Sequence, residues 1–563
     1  MDLPRRYGRY RHCFRYKILC CLKKTLEIRL ICLTRSSAQN PRQSSRTLKM
    51  NSKRIAKNTL MLYIRQILIL LVNLYTVRII LNVLGVEDYG IYNVVGGIVS
   101  FFSFLGVTMA SATQRFFSFA LGQDRPEKLN KTFTVNWAIY GAIALLALIL
   151  LESLGLWFVN HQLRIPPERF DAVRVIYHFA VWTFIATIFT TPFMAIIIAH
   201  EDMHIYAWVS VVEAIMKLGI VFFLVYLPWD KLELYGFLLF AVSVVIAALY
   251  MVICVKKYAE CQFRHFYWDR KLLREIADFT GWTLFGQLTT VARNQAVTIL
   301  LNQLFNPVVV AARAIAVNVS NQINVFSNNF NTGLYPPIIK SYAADDKKTM
   351  FSLIFDGSKI TFFLMWVFAL PLFLEMDTIL QIWLKTPPPE AVLFTRLALV
   401  EVLIGSVSSP ITTAARAPGK MKAYELALGS IQIGTFAASW LILLAGAAAY
   451  SVFVAAIAAN LVMFVVRLLL VGKLTGLSVI LFLRQVIAPV SLVILLSAGP
   501  SFAIHASLPK GLLFTGISML SGATLVCINM YFIGLDKQKR EKVRTIVLTR
   551  IYRLLSLKSK LQP

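Results

Sequence analysis

Apolar residues fall into long runs along the chain, most of them 20 or more residues long, which is the length needed to cross the hydrocarbon core of a bilayer. Polar or basic segments separate these runs. The pattern predicts an all-α integral membrane protein with about 14 transmembrane helices. The predicted spans are 59–84, 91–119, 133–159, 173–199, 205–227, 233–254, 276–304, 308–335, 350–382, 391–415, 424–446, 449–471, 479–499 and 511–534.

The eighth span contains an unusual row of amide side chains. Spacings of three, three, four and three place the following residues on one helical face: Asn318, Asn321, Asn324, Asn328 and Asn331. Lipid offers no hydrogen-bond partner to an amide, so this face must look into the helix bundle or into a wet cavity. The row therefore predicts a transport path. Hydrogen bonding between helices is the alternative interpretation.

Composition agrees with a polytopic membrane protein, since 58% of residues are hydrophobic, 15% are charged and the mean hydropathy is +0.66. The net charge of +29 does not indicate nucleic-acid binding, because no binding fold accompanies it. Residues 1–57 alone hold 16 basic and two acidic residues, and most of the remaining excess lies in loops and in the C-terminal tail. Membrane topology and anionic lipid headgroups explain this placement.

The basic loops predict the orientation, because cytoplasmic loops carry an excess of Lys and Arg. The loops after spans 2, 6, 8 and 10 are basic, so both chain ends are expected in the cytoplasm. Asp88 and Lys385 are then periplasmic, whereas Lys257 and Lys560 are cytoplasmic. The loop after span 3 breaks this pattern because it carries Arg164 and Arg169. The short inner loop 200–204 also breaks it, because it has no Lys or Arg.

An internal repeat organises the spans. A shift of 220 residues places 79–84 on 299–304, and the loops 124–131 and 345–348 match with a one-residue slip. Six spans separate the copies, so both halves enter the membrane in the same direction. We therefore expect two parallel six-helix repeats around a central cavity, with two further C-terminal helices.

This repeat suggests five segments. They are a basic extension (1–49), an N-terminal six-helix bundle (50–255), a C-terminal six-helix bundle (276–475), helices 13 and 14 (476–535) and a basic cytoplasmic tail (536–563). Met50 begins Met-Asn-Ser-Lys-Arg just before span 1, so residues 1–49 are expected to be untranslated or disordered. Palmitoylation of the four cysteines in this extension is a further alternative.

Three segments carry a family resemblance: 58–65, 81–97 and the hexapeptide Ser-Ala-Thr-Gln-Arg-Phe at 111–116. Over roughly residues 51–535 the chain resembles polysaccharide repeat-unit flippases of the Wzx type, in the superfamily of multidrug, oligosaccharidyl-lipid and polysaccharide exporters. The resemblance implies transport of an undecaprenyl-diphosphate-linked oligosaccharide from the inner to the outer leaflet of a bacterial inner membrane by alternating access. Membrane lipids and a glycan polymerase are the other expected partners, and neither enzymatic activity nor a cofactor is expected.

Such a substrate requires cations for the diphosphate and hydrogen-bonding groups for the glycan. Arg293 lies in the middle of span 7, where an arginine costs about 2.5–3.5 kcal/mol to insert. The candidate substrate-binding residues are Arg293, Arg65, Asn73, Asn294, Gln287, Arg313, Asn321, Asn324 and Asn328. Arg65 lies about two turns from the inner end of span 1 and could snorkel to the membrane surface. Arg78, Arg115 and Arg313 lie nearer the interfaces, where snorkelling is the favoured interpretation.

Two glutamates are candidates for coupling transport to a proton or sodium gradient. Glu213 lies four residues before Lys217, a spacing that predicts an ion pair along one helix face. Glu401 has no partner within its own span. The first span contains no Asp or Glu, which disfavours the alternative of a cation-coupled multidrug exporter.

Metal sites and enzymatic chemistry find little support in the sequence. The cysteines and the seven histidines show no metal-ligand spacing, so no metal site is expected. A membrane glycan polymerase or ligase is the enzymatic alternative. It usually needs a sizeable outer loop, and the longest expected here has about a dozen residues.

Overall fold

The computed structural model describes residues 41–162, 167–263, 266–509, 511–537, 539–541 and 544–545. These residues are helical or lie in short connections, and no strand occurs within these ranges. Residues from Asn58 onward form one compact unit; in the other unit, which ends at Lys57, residues 41–57 are helical. The helices are α1 (Pro41–Ser100), α2 (Ser103–Gly122), α3 (Pro126–Leu150), α4 (Phe170–Ala199), α5 (Met203–Tyr226), α6 (Lys231–Lys257), α7 (Arg270–Leu304), α8 (Pro307–Ala343), α9 (Lys347–Leu374), α10 (Ala391–Arg416), α11 (Lys422–Leu444), α12 (Ser451–Thr475), α13 (Val479–Ser507) and α14 (Leu512–Gly534).

Each of the 14 predicted spans is helical, although span 2 is divided between the end of α1 and α2, so the expected all-α fold class is confirmed. By length and composition, 11 helices among the described residues can cross a membrane. The number rises to 12 if the bent pair Gly90–Val99 and Ser103–Gly122 is counted as one span. The segments that fall short are the first part of α1, where only Asn58–Asn73 is apolar, and α7. These are the first helices of the two repeats, and both carry arginine and asparagine side chains within the span.

Two predicted boundaries are wrong. The outer loop expected at 85–90 is absent, because α1 continues to Ser100 with one non-helical residue, Gly85, at φ 79°. Glycine adopts this conformation without strain, so a single residue redirects the helix. Span 9, predicted to reach 382, ends at Leu374, and a short separate helix, Met376–Leu384, follows. Glu375 breaks the helix there, where its buried carboxylate accepts hydrogen bonds from His505 and Thr515.

The two halves pack in the same way. In the N-terminal half α4 packs against α2 and α6, and in the C-terminal half α10 packs against α8 and α12. The equivalent helices α2 and α8 contact each other between the halves, while α13 and α14 pack on α9. This arrangement follows the 220-residue shift, because each of these contacts of α4 has its counterpart six helices later.

The connections repeat as well. Asp124 after α2 and Asp345 after α8 both adopt positive φ, 52° and 54°. The two aspartates are separated in sequence by the 220-residue shift of the internal repeat plus the one-residue slip. Glu201 after α4 and Gly419 after α10 also have positive φ and occupy equivalent loops. Because aspartate and glutamate seldom adopt this conformation, its recurrence supports a duplicated fold.

Consecutive helices run in opposite directions, so their connections lie alternately at two ends of the bundle. We call one the Glu201 end, which contains the connections after α2, α4, α6, α8, α10 and α12. The other is the Asp88 end. There Arg169 binds Asp88 at 2.6 Å and also pairs with Asp230, so one guanidinium joins the part of α1 after the Gly85 kink to the connections before α4 and before α6. This pairing neutralises the basic residue that broke the expected charge pattern.

Asp230 also caps the N-terminus of a helix. Its Oδ1 accepts hydrogen bonds from the backbone amides of Leu232 and Glu233 and thereby caps α6. Burial raises the pKa of the Asp230 carboxyl. The Glu233 amide and the Arg169 guanidinium together lower this pKa by more than burial raises it, so the pKa lies below its ordinary value. Stability from this pairing is therefore present above the unfolded-state pKa and is lost as the pH falls through the folded-state pKa.

We expect Arg169→Gln to lower the free energy of unfolding in detergent by about 1–2 kcal/mol at neutral pH, since Asp88 is buried and loses a charged partner. The difference from the wild type should shrink once the pH falls below about 4, where aspartate is protonated. Tryptophan fluorescence during denaturation measures both. Arg174→Gln, at an exposed arginine on α4, is the control. Equal destabilisation by the two variants would contradict the structural role of Arg169.

Candidate functional site

A polar cavity of about 300 Å³ lies within the N-terminal half between α1, α4, α5 and α6. We call it the N-cavity. Its polar lining residues are Arg65, Asn73, Thr187, Thr190, Thr191, Tyr206, Ser210, Glu213, Lys217, Ser243 and Tyr250. The helices that surround it belong to the first repeat, and lipid offers these polar groups no hydrogen-bond partner, so they turn toward the interior of the protein.

Arg65 is held inside the bundle. Its Nη1 donates to Ser210 Oγ and its Nη2 to Asn329 Oδ1, both at 3.4 Å, and its guanidinium lies 4.6 Å from the Tyr206 ring centre. Nε is buried without a hydrogen-bond partner among the described residues. Because Asn329 belongs to α8, Arg65 connects the N-cavity to the other half and does not snorkel.

Glu213 and Lys217 form the ion pair that their spacing predicts, at 2.6 Å. Both side chains stay partly exposed, at 36% and 42%, so the pair remains open to the cavity. With Arg65 the N-cavity holds two cations and one anion, a formal charge of +1.

A second cavity, of about 370 Å³, lies within the C-terminal half and is called the C-cavity. Four of its five helices, α7, α10, α11 and α12, are the repeat counterparts of those around the N-cavity, and α8 is the fifth. Its polar lining residues are Arg293, Asn294, Gln295, Thr298, Arg313, Ser320, Asn321, Glu401, Thr435 and Ser439. Two arginines and one glutamate again give a formal charge of +1.

The charged groups of the C-cavity are only loosely paired. Arg293 Nη2 donates to Asn294 Oδ1 at 3.0 Å and lies 3.5 Å from Glu401 Oε1, while Arg313 Nη1 donates to Thr298 Oγ1 at 2.7 Å. Arg293 Nη1 and Arg313 Nε are buried with no partner in the described chain. Buried donors of this kind cost free energy unless a ligand or water satisfies them. The arrangement is therefore suited to an anion.

Glu401 has no partner within its own helix but contacts two residues on other helices. Its Oε1 accepts from Asn460 Nδ2 on α12 at 3.1 Å and faces Arg293 of α7. The carboxylate thus lies beside the Arg293 guanidinium and offsets part of its charge.

The remaining sequence candidates are dispersed. Gln287 lines a third cavity of about 110 Å³, which also lies in the C-terminal half. Asn324 and Asn328 line none of these three cavities. Asn331 accepts a hydrogen bond from Thr361 of α9, which is the helix-bridging role that formed the alternative interpretation.

Arg115 differs from its sequence-based expectation of snorkelling. The side chain is buried, with 6% exposure, and its Nη2 donates to the backbone oxygen of Ala417 after α10 at 2.9 Å. Its guanidinium stacks on Phe116 and Phe119. Gly419, at φ 80°, makes room, since a Cβ there would lie 2.6 Å from Arg115 Nη2. Sequence reasoning missed this contact between the halves, and the one hint was the arginine in the hexapeptide 111–116.

A second contact between the halves mirrors the first. Lys340 Nζ on α8 binds Glu201 Oε1 in the loop after α4 at 2.7 Å, and the Glu201 backbone oxygen accepts from Asn58 Nδ2. The loop after α4 thus contacts α8, just as the loop after α10 contacts α2. We call these the two clamps, and both lie at the Glu201 end.

This multi-helix membrane architecture is the fold of the multidrug and toxin extrusion (MATE) proteins. An outward-facing multidrug resistance transporter of the MATE family and MOP superfamily is similar, with a TM-score of 0.66 and 13% identity over 76% of this chain and 96% of that one. A MATE protein in the bent conformation gives a TM-score of 0.64 and 12% identity over 76% and 96% of the two chains. The MATE transporter ClbM in complex with Rb⁺ gives 0.60 and 14% over 77% and 96%.

The family follows from the sequence. The model of the polysaccharide biosynthesis protein family matches residues 55–342, so the chain belongs to this family. No curated protein matches the chain. The expected resemblance to polysaccharide flippases of the exporter superfamily is confirmed at the level of family and fold.

We expect both larger cavities to be reached by water and to favour anions. Asn73→Cys and Asn321→Cys, each in a cysteine-free background, should react faster with an anionic methanethiosulfonate reagent than with a cationic one, because each cavity carries a net positive charge. Mass spectrometry of the purified protein gives the rates. Leu145→Cys, at an exposed apolar position of α3, should remain unreactive. A preference for the cationic reagent at either cavity position would contradict the assigned charge.

Proposed function

We propose that this protein flips an undecaprenyl-diphosphate-linked oligosaccharide from the inner to the outer leaflet of a bacterial inner membrane. The observation that carries this proposal is the unpartnered, buried Nη1 of Arg293 in a cavity of positive charge. A diphosphate carries negative charge on both phosphates and is well matched to arginine donors. Family membership supports the glycan part of the substrate.

The glycan and the lipid tail make different demands. Sugar hydroxyls require hydrogen-bonding partners, and the N-cavity supplies five Ser and Thr hydroxyls together with Asn73 and Tyr206. The lipid tail can stay in the bilayer throughout, so the protein needs no enclosed path for it. Division of the polar groups between two cavities suits a substrate with a charged and a neutral polar part.

Alternating access requires the halves to separate at one end and close at the other. Both clamps lie at the Glu201 end, which we assign to the cytoplasm together with the two chain termini. The described state is then closed toward the cytoplasm, and transport requires the clamps to open. The loops near Lys257 and Lys340 carry the basic excess expected of that side.

Energy coupling is assigned to the glutamates inside the cavities. Neutralising Glu401 by a proton or a sodium ion would leave Arg293 with more of its charge for the diphosphate, and Glu213 would act on Lys217 in the same way. A cation-coupled multidrug exporter is the alternative. The formal charge of +1 in both cavities disfavours cationic drugs as substrates. Membrane lipids and a glycan polymerase remain the proposed partners.

The decisive substitution is at Arg293. Arg293→Gln should lower surface-glycan restoration in a flippase-deficient strain by about tenfold or more, whereas Arg293→Lys should keep part of it because it retains the charge. Restoration is normalised to the amount of protein in the inner membrane. Gln295→Ala, which alters a neutral residue of the same cavity, serves as the matched control. Wild-type restoration by Arg293→Gln would contradict diphosphate binding at this residue.

The orientation is tested by labelling single cysteines in intact cells. A membrane-impermeant maleimide should label Lys385→Cys, at the Asp88 end, and should reach Lys257→Cys only after the cells are permeabilised. Asp88 is likewise expected on the periplasmic side and Lys560 on the cytoplasmic side, although Lys560 lies outside the described residues. Labelling of position 257 but not 385 in intact cells would invert the assigned topology.

A further inference from the structure

The third cavity contains a carboxylate that the proposed transport steps do not use. Glu425 lies in the first turn of α11 at the Glu201 end and is 8% exposed. Its carboxylate packs directly against Gly286 of α7. A Cβ atom at position 286 would lie 1.9 Å from Glu425 Oε2. Within the described chain no side chain or amide donates a hydrogen bond to it. A buried carboxylate without such donors is stable as an acid and costly as an ion.

Charged and titratable groups reach this cavity from three of its four helices. Arg416 comes from α10, Arg467 from α12 and Tyr424 from α11 itself, while α7 contributes only neutral residues. Both arginines interact electrostatically with Glu425. In the described part of the chain, neither arginine forms an ion pair with the Glu425 carboxylate.

Arg416 is instead engaged across the two halves. Its Nη1 donates to Ser111 Oγ of α2 at 2.7 Å, and its Nε is buried without a partner among the residues described. Ser111 also accepts from Tyr335 of α8 through its backbone oxygen. Arg416 ends α10, directly before Ala417, which is bound by Arg115. One side chain therefore borders both the Glu425 cavity and a clamp.

We propose that Glu425 is a proton-binding site that controls this clamp through Arg416. When Glu425 holds a proton, Arg416 is free to bind Ser111 and the halves are closed at the Glu201 end. When the proton leaves, the carboxylate attracts Arg416 into the cavity, the bond to Ser111 weakens and this end opens. The inference rests on the proposed alternating access, but it is independent of which substrate is carried.

The sign of the pH effect follows from this scheme. Higher pH ionises Glu425 and favours the state that is open at the Glu201 end, whereas lower pH favours the closed state described here. Arg467 remains in the cavity in both states and holds a second positive charge near Glu425. The neutral groups Gln287 and Gln432 complete the polar lining.

The test measures opening directly, without substrate. Spin labels on Glu127→Cys and Lys348→Cys, exposed positions near the starts of α3 and α9, report the separation of the halves by pulsed electron paramagnetic resonance. The full-length chain is used in nanodiscs with all other cysteines replaced. The long-distance population should rise about threefold or more between about pH 5 and about pH 9.

Glu425→Gln should abolish this pH response and hold the short-distance population at its low-pH level. Arg416→Gln should lower the short-distance population at every pH, because the group that binds Ser111 is gone. Asp278→Asn, at an exposed carboxylate of α7 near the same end, is the matched control and should respond as the wild type does. Since Arg416→Gln leaves Glu425 intact, the two variants test the proton site and its effector separately.

A wild-type pH response in Glu425→Gln would overturn the proposal, as would loss of the response in Asp278→Asn. An unchanged distance distribution in Arg416→Gln would also overturn it. Failure of the substrate proposal has a different signature: Arg293→Gln would restore glycan export normally while Glu425→Gln still lost its pH response.

Discussion

The absence of hydrogen-bond partners in lipid is the constraint on which this structure depends. Polar side chains placed within a span have to find their partners inside the protein, and those that reach another helix fix a contact between helices. Arg65 reaches Asn329, Glu401 reaches Asn460, and Arg115 reaches the backbone of Ala417. The polar residues of the spans therefore determine how the helices meet, and the apolar residues fill the space between them.

The internal repeat gives this constraint a twofold form. Equivalent helices surround the N-cavity and the C-cavity, and equivalent loops carry the two clamps. The chemistry has nevertheless diverged, since one clamp uses an ion pair and the other a guanidinium on a backbone oxygen. Two halves of the same shape but different bonding can respond separately to a proton, an ion or a substrate, which a strictly symmetric pair could not do.

Much of the fold could be predicted from local sequence, because span length, loop charge and the 220-residue shift are properties of neighbouring residues or of simple comparison. The Glu213–Lys217 pair is local in the same sense. Arg115 and Glu425 could not be placed, because their surroundings come from residues of three or four helices. The kink at Gly85 was missed for another reason, since a short polar stretch suggests a loop equally well. The division of the candidate residues among separate cavities likewise depends on how the helices are packed.

The polarity of α7 also bears on how the chain enters the membrane during synthesis. Arg293 lies near the middle of α7, and an arginine at that depth costs about 2.5–3.5 kcal/mol to insert. Arg313 of α8 shares the cavity of Arg293, so the following helix offers no compensating charge, and the carboxylate that does lies on α10, about a hundred residues later. Arg293 therefore gains its carboxylate partner only after α10 has been synthesised, so the polar contacts of α7 are completed late in the formation of the C-terminal half.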